Sequence, residues 1–129
     1  MDIRIRNYHL DGYGHVNNAR YLEFLEEARW RLFEQQNLLQ WLDGIQMVVT
    51  ETRIRYRRSA LENDIIRIQT ALSGLDKRKV GVRQTVLLES GKTAVEADIT
   101  LMAVHNGRNV QLPDPLFAAL TALMPSKNG

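Results

Sequence analysis

The chain has 129 residues, of which 44% are hydrophobic, and this size fits one domain with its own core but is too small for two. Cysteine is absent, which excludes disulfides, thiolate metal sites and cysteine nucleophiles and agrees with a reducing cytoplasm. The formal net charge of +2 suits a phosphate-bearing small ligand as well as weak nucleic-acid contact. We therefore predict one domain over residues 1–129, with a loose tail at 125–129.

The N-terminal residues do not have the pattern of a signal peptide, because Asp2, Arg4 and Arg6 interrupt them with charges. The apolar runs elsewhere are only a few residues long, far below the ~20 residues that span a bilayer. These features predict a soluble protein without a membrane partner.

The first predicted element is a strand over residues 2–9, in which Ile3 and Ile5 alternate with charged residues. The next is an amphipathic helix from about Asn18 to Gln35, whose apolar side chains recur at helical spacing. Asn17 and Asn18 both have side chains suited to capping it. Residues 37–44 then form a connector with one helical turn.

Four strands with alternating side chains should follow, at residues 45–58, 64–73, 79–88 and 93–105. The last three strands and a short returning strand at 109–111 should be antiparallel neighbours. They are joined by turn residues at 75–77, 89–92 and Asn106-Gly107. A helix from Leu116 to Met124 closes the pattern. One apolar-faced helix beside a long antiparallel sheet predicts an α+β fold in which the helix lies across the concave face of the sheet.

The strand at 45–58 has two different faces. One should carry Val48, Thr50, Thr52, Ile54 and Tyr56, and the other Val49, Glu51, Arg53, Arg55 and Arg57. The second face is therefore predicted to be charged.

A polar turn precedes the long helix, and Gly12 and Gly14 give it the backbone freedom that a sharp turn needs. A carboxylate just ahead of a helix start faces free amides and the positive end of the helix dipole. A carbonyl with its oxygen on those amides and its carbon toward Asp11 would be set up for acyl transfer. The alternative is that Asp11 only braces its turn and His15 only hydrogen-bonds a loop backbone.

A long ungapped motif bears on this choice. It comprises Asp11-x-x-Gly14-His15-Val16-Asn17-Asn18-x-x-Tyr21, then Leu22-Glu23-Phe24 and Glu27-Ala28-Arg29. The motif resembles the signature of the 4-hydroxybenzoyl-CoA thioesterase family of hotdog-fold proteins. Together with Tyr8-His9-Leu10-Asp11 and Tyr56-Arg57-Arg58, it is most similar to the bacterial long-chain acyl-CoA thioesterases of the FadM type.

The resemblance implies a hotdog fold, in which an antiparallel sheet wraps around one long central helix. It also implies a cytoplasmic acyl-CoA thioesterase for medium- or long-chain substrates that uses no cofactor. The site would form between subunits of a homodimer or homotetramer. An acyl-carrier-protein or aromatic thioester remains an alternative substrate.

The family's catalytic residue corresponds to Asp11, which would act as nucleophile or general base toward the thioester carbonyl. A thioester suits a lone carboxylate because its thiolate leaves without strong acid assistance. The oxyanion donor is a backbone amide at the helix start, from Asn17 or Asn18 by physical argument and from Asn18 by the resemblance. The Asn17 side chain, besides capping, could contact substrate.

Three other motif residues have less defined roles. His15 could orient the carbonyl or a water, or could only support the turn. Tyr21 could reach the thioester or could pack in the core. Gly14 matters through its backbone conformation.

Arginines on the charged strand face could hold the phosphates of coenzyme A, above all Arg57 and Arg58. The alternative is an ordinary solvated sheet face, and Lys77, Arg78 and Lys79 form a second basic patch. Ser59 stands where the resembled group has proline, and Asn63 replaces a small residue, so the loop here departs from the family pattern.

Other functional classes fit the sequence less well. No metal-binding motif, Gly-x-Ser-x-Gly motif or glycine-rich phosphate loop occurs, so we expect no metal. Nucleic-acid binding would need aromatics among the arginines, and only Tyr56 is there. A non-catalytic acyl-CoA binding module on the same fold is the main alternative, and the retained Asp11 argues against it. The His-plus-acid arrangement of hotdog hydratases is not visible.

Overall fold

The computed structural model describes residues 1–125, so most of the predicted tail lies outside the described residues. The described residues form six strands and two α-helices. In chain order these are β1 (Asp2–Arg4), α1 (Asn18–Gln35), β2 (Gln46–Tyr56), β3 (Ile65–Leu75), β4 (Lys79–Leu87), β5 (Thr93–His105), β6 (Arg108–Asn109) and α2 (Asp114–Leu123). Two 3₁₀ turns, Asn7–His9 and Leu39–Trp41, lie in the connections.

The strands form one antiparallel sheet in the order β1-β3-β4-β5-β2, with β6 beside β5. The predicted hairpin turns are confirmed. Asp76 Oδ1 accepts hydrogen bonds from the amides of Arg78 and Lys79, which closes the turn between β3 and β4. Asn106 and Gly107 adopt positive φ angles of 51° and 75°, as a tight two-residue hairpin turn requires.

Helix α1 occupies the predicted range and packs its apolar face against the inner face of the sheet. The side chains that it buries are Tyr21, Phe24, Leu25, Ala28 and Phe33. Alternate residues of β4 and β5 are buried beneath them, as alternation predicts. This sheet wrapped around one long helix is the predicted α+β hotdog architecture.

One polar side chain is completely buried between the helix and the sheet. Gln84, on β4, donates from Nε2 to the Leu25 carbonyl oxygen at 2.9 Å and to Thr70 Oγ1 at 3.1 Å. Its Oε1 accepts a hydrogen bond from Arg29 Nη1 at 3.0 Å. All polar atoms of this amide group thus have partners, which is the condition under which a buried polar group is tolerated.

Three predicted elements differ from the structure at their ends. The strand predicted at 2–9 ends at Arg4, because His9 Nδ1 accepts a hydrogen bond from the Arg6 amide at 2.9 Å and the chain turns there. The returning strand predicted at 109–111 is instead Arg108–Asn109. The last helix begins at Asp114 rather than Leu116, since Pro115 is compatible with a first helical turn.

The predicted faces of β2 are wrong in its first half. Met47 and Val49 pair with the buried Ala103 and Leu101, and the register then shifts between Val49 and Glu51. After this bulge the residues on the same face are Thr52, Ile54 and Tyr56, which pair with Ile99, Ala97 and Val95. A bulge inserts one residue and so exchanges the two faces, which alternation alone does not reveal. Val48 therefore lies on the outer face and Val49 on the inner one.

Candidate active site

The polar turn before α1 is a closed loop. Leu10 and Val16 form a bridge across it, and the Asp11 amide donates to the His15 carbonyl oxygen at 2.7 Å. The Asn17 amide donates to the His9 carbonyl oxygen at 2.8 Å. These contacts hold Asp11 in the same small turn as the first residues of the helix.

The Asp11 carboxylate is exposed and braces this turn through one oxygen. Asp11 Oδ1 accepts hydrogen bonds from the amides of Tyr13 at 2.8 Å and His15 at 3.2 Å. Among residues 1–125 the other oxygen, Oδ2, accepts no hydrogen bond. Bracing and chemistry can therefore be divided between the two oxygens of a single carboxylate.

Asn17 is the N-cap of α1. Its Oδ1 accepts from the Ala19 amide and its carbonyl oxygen accepts from the Arg20 amide, each at 2.9 Å. Because the Asn17 amide is engaged by His9, it is not available to a ligand. The Asn18 amide has no hydrogen-bond partner within the described part of the chain. The helix start thus presents a backbone donor beside the Asp11 turn.

Tyr21 lies in the core below the turn, where it is only 2% exposed. Its hydroxyl oxygen accepts a hydrogen bond from the Ala60 amide at 3.3 Å, and the Ala60 carbonyl oxygen accepts from the Val16 amide at 3.2 Å. Burial raises the pKa of Tyr21, so the phenol is neutral at ordinary pH. The geometry gives Tyr21 a packing contact that connects the turn to the loop at 57–64.

His15 and Gly14 contribute their backbones to the turn. The His15 side chain is exposed, while its main chain pairs with Asp11 and forms a bridge with Leu61. Gly14 has a φ of +79°, a region that favours glycine, and its amide donates to the Asp11 carbonyl oxygen.

Arg57 and Arg58 follow the end of β2, and both already have protein partners. Arg57 Nη2 lies 3.0 Å from Glu96 Oε2, and this hydrogen bond holds the pKa of the Glu96 carboxyl below its ordinary value. Arg58 Nη1 donates to the Thr93 carbonyl oxygen at 2.9 Å. The partners of Arg57 belong to the outer face of the sheet.

Two residues near the turn were not predicted as part of the site. Tyr56, at the end of β2, donates from its hydroxyl to the Asn18 carbonyl oxygen at 3.5 Å. His9 is buried against Phe24 and supports the turn through its carbonyl oxygen. The sequence contains the Tyr56-Arg57-Arg58 motif, but only the fold brings Tyr56 beside the helix start.

A partly open apolar groove runs between α1 and the inner face of β2. Leu22 and Trp30 on the helix are 45% and 49% exposed, and Val49 and Tyr56 on the strand are 42% and 43% exposed. At the end far from Asn18, a cavity of about 420 Å³ lies between the same helix and strand. Its lining comprises Glu26, Arg29, Trp30, Phe33, Leu42, Ile45, Gln46, Met47, Val48, Val49 and Leu101.

Known proteins are similar to this chain in sequence and in fold. Residues 5–120 match the family model of the Thioesterase-like superfamily. The long-chain acyl-CoA thioesterase FadM of Escherichia coli (strain K12) is 43% identical over 105 residues, which are 79% of this chain and 80% of that protein. The chain therefore belongs to the thioesterase-like superfamily and is an enzyme that cleaves thioesters.

Two solved structures illustrate the similarity. The probable thioesterase YbaW from Escherichia coli is 37% identical, with a TM-score of 0.87 over 97% of this chain and 98% of that one. A thioesterase from Thermus thermophilus, complexed with coenzyme A and Zn, is 28% identical, with a TM-score of 0.83 over 95% of this chain and 92% of that one.

Residues 1–125 contain no group of three or more His, Asp or Glu side chains placed to hold a metal ion. None of the helices in the same residues is both long and apolar enough to cross a membrane.

The buried His9 predicts a pH dependence of stability. Burial is the main cause that lowers the pKa of His9 below its ordinary value of 6.5. The charges of Arg20 and Arg6 lower it further, and the charge of Glu23 opposes them. Below pH 6.5 the unfolded chain binds this proton more readily than the folded one, so stability is lost as pH falls toward the folded pKa. Urea unfolding between about pH 7 and pH 5.5 should therefore show a falling free energy of unfolding.

The matched variants are His9→Asn and His105→Asn. An asparagine at position 9 can still accept from the Arg6 amide but does not titrate, so its stability should fall less over this range. His105→Asn removes the exposed imidazole at the end of β5 and measures how much of the slope arises outside the turn. Equal pH slopes for the native protein and His9→Asn would contradict the assignment.

Proposed function

We propose that this thioesterase hydrolyses medium- or long-chain fatty acyl-CoA, with Asp11 as nucleophile or general base and the Asn18 amide as oxyanion donor. The observation that carries the proposal is the unpartnered Asn18 amide, among the described residues, next to a turn whose Asp11 carboxylate uses only Oδ1 for bracing. The acyl-CoA class is supported by the 43% identity to the long-chain acyl-CoA thioesterase FadM of Escherichia coli.

The reaction needs few groups. In one route Asp11 Oδ2 attacks the thioester carbon, the thiolate leaves, and water then hydrolyses the resulting anhydride. In the other, Asp11 takes a proton from the water that attacks the carbonyl. Both routes place negative charge on the carbonyl oxygen, where the Asn18 amide and the helix dipole stabilise it. Gly14, Asn17 and Tyr21 act as positioning residues, and His15 can orient the carbonyl or a water.

The groove between α1 and β2 supports an extended acyl chain as the substrate. At one end Tyr56 bonds the Asn18 carbonyl oxygen, and at the other lies an apolar cavity that a short acyl group would leave unfilled. Met47 lines this cavity, whereas Phe24, Leu25 and Ala28 are buried in the core. Of these four, Met47 is the candidate for setting the chain length.

The enzyme should work as a cytoplasmic homodimer or homotetramer with its site at the subunit interface. Strand β2 is an edge of the sheet, has eleven residues, and leaves apolar side chains of its inner face partly exposed. A long unpaired edge is a template for pairing with a second chain. Pairing of β2 with its copy would also enclose the groove.

Coenzyme A requires cationic contacts for its phosphates, and we assign these to Arg58 and Arg57. The related Thermus thermophilus enzyme is a coenzyme A complex, which supports a nucleotide site on this fold. Arg58 Nη1 is fixed by Thr93, so the guanidinium is pre-oriented with its other N–H groups available for a phosphate.

Replacing the proposed catalytic carboxylate tests the mechanism. Asp11→Asn keeps an oxygen that accepts from Tyr13 and His15, so the turn should survive while kcat falls by roughly 10²–10⁴-fold. Thiol release should be measured on acyl-CoAs from acetyl to palmitoyl, with the exposed Asp43→Asn as control. Activity of Asp11→Asn within a few-fold of native would remove Asp11 from this role.

Truncating the substrate tests the phosphate site. Arg58→Met should raise KM roughly tenfold for an acyl-CoA, the loss of about 1.4 kcal/mol of binding. KM for the N-acetylcysteamine thioester of the same acyl group, which lacks the nucleotide, should not change. Arg108→Met, near the opposite end of β5, is the control. An equal rise for both substrates would mean that Arg58 supports the loop rather than the nucleotide.

The proposed subunit interface can be tested by sedimentation, which gives the mass of the assembly, and by amide hydrogen exchange, which reports on the edge of β2. A dimer formed through β2 should sediment at twice the chain mass or more, and β2 amides on the edge away from β5 should exchange slowly. The opposite edge strand, β1, serves as the exchange control. A monomeric mass with fast exchange along that side of β2 would contradict the interface.

A further inference from the structure

Arg29 projects into the cavity at the far end of the groove and is held there by the core. Its Nη1 donates at 3.0 Å to Oε1 of the fully buried Gln84, whose own Nε2 is bound to Leu25 and Thr70. A side chain fixed in this way cannot move its charge freely into solvent. The guanidinium is therefore held at a fixed position in the wall of the cavity.

The remaining donors of Arg29 have no acceptor among residues 1–125. A guanidinium has five N–H groups, and within those residues only the bond to Gln84 is formed. Glu26 lines the same cavity and acts on Arg29 through its charge, but the two do not form a direct ion pair. A half-buried cation with unused donors is costly unless a ligand supplies acceptors.

The cavity is otherwise suited to an alkyl chain. Trp30, Phe33, Met47 and Leu101 are among the apolar side chains around it, and Glu26 and Arg29 are its charged members. A group that lies between them must accept from Arg29 and donate to Glu26. A hydroxyl does both, whereas a carboxylate would be repelled by Glu26.

The distance along the helix places this pair relative to the reacting carbonyl. Asn18 and Arg29 are eleven positions apart, which is roughly 16 Å at 1.5 Å per residue. An extended chain advances roughly 1.2 Å per bond, as the ~3.6 Å span of a three-bond peptide residue indicates. An extended acyl chain thus reaches Arg29 roughly 13 bonds from the thioester carbon.

We propose that Arg29, with Glu26, is a specificity-determining site that binds a hydroxyl near the distal end of the acyl chain, so that hydroxylated long-chain acyl thioesters are a preferred substrate class. This assignment rests on the proposed thioesterase function and on the groove as the acyl path. Arg29 donates to the hydroxyl oxygen, and the hydroxyl donates to the Glu26 carboxylate.

The test compares ω-hydroxyacyl-CoAs with the unsubstituted acyl-CoAs of the same length, from decanoyl to hexadecanoyl. The native enzyme should prefer the hydroxylated member by roughly tenfold in kcat/KM at the length that reaches Arg29. In Arg29→Met the ratio should fall to about one. Arg31→Met, an exposed arginine outside the cavity on the same helix, should keep the native ratio.

Glu26→Gln provides a second variant, because Arg29→Met leaves Gln84 Oε1 without its donor and could destabilise the fold. Glu26→Gln leaves that bond intact and should reduce the preference for the hydroxyl. No preference at any length, or a preference that persists in both variants, would overturn the proposal. A preference for the ω-carboxyacyl-CoA would also overturn it. If Arg29→Met sedimented at a lower mass than the native protein, the guanidinium would be assigned to a subunit contact, and the proposal would again fail.

These outcomes are separate from failure of the proposed function. If the enzyme hydrolyses unsubstituted acyl-CoA in an Asp11-dependent manner but ignores the hydroxyl, only the Arg29 assignment fails. If no acyl-CoA is hydrolysed, or if Asp11→Asn is fully active, the proposed function itself fails.

Discussion

The position of α1 on the sheet depends on the buried amide of Gln84 together with the apolar face that surrounds it. Apolar burial alone is not directional, so Leu25 and Phe24 would tolerate small shifts of the helix along the sheet. The hydrogen bond from Gln84 to the Leu25 carbonyl oxygen removes this freedom. One helix position is thereby selected, and it places both the Asp11 turn and Arg29.

The turn before α1 shows how one residue can have a structural and a chemical role. Asp11 Oδ1 closes the turn through two amides, and the same bonds leave Oδ2 free for the proposed chemistry beside the helix start. The loop at 57–64 supports this arrangement from below through Ala60, which bonds both Tyr21 and Val16. Rigid support of this kind preorganises a carboxylate and an amide donor before substrate arrives.

Strand β2 contributes through its irregularity. Its bulge moves Val49 to the inner face, where it lines the cavity with Met47, and leaves Arg53 and Arg55 opposite Asp98 and Glu96 on the outer face. A regular strand would place Val48 and Thr50, rather than Met47 and Val49, on the same face as Ile54 and Tyr56. An apolar cavity lining and a charged outer face thus coexist on one edge strand.

The sequence by itself determined the helix at Asn18–Gln35, the hairpins and the α+β class, because side-chain periodicity and turn residues are local properties. The motif from Asp11 to Arg29 also sufficed to predict the family. Tertiary structure decided which amide at the helix start is unpaired within the described chain. The Asn17 amide is paired because a turn brings the His9 carbonyl oxygen to it, and side-chain alternation does not encode that turn.

Tertiary structure also decided the β2 faces, the burial of Tyr21 and the partners of Arg57 and Arg58. The bulge is set by pairing with β5, and a strand's partner is not visible in its own sequence. The cavity around Arg29 is likewise formed by residues from α1, the connector at 37–45, β2 and β5, and Gln84, 55 residues away in sequence, fixes the guanidinium there. Such contacts depend on long-range packing, which local sequence patterns do not specify.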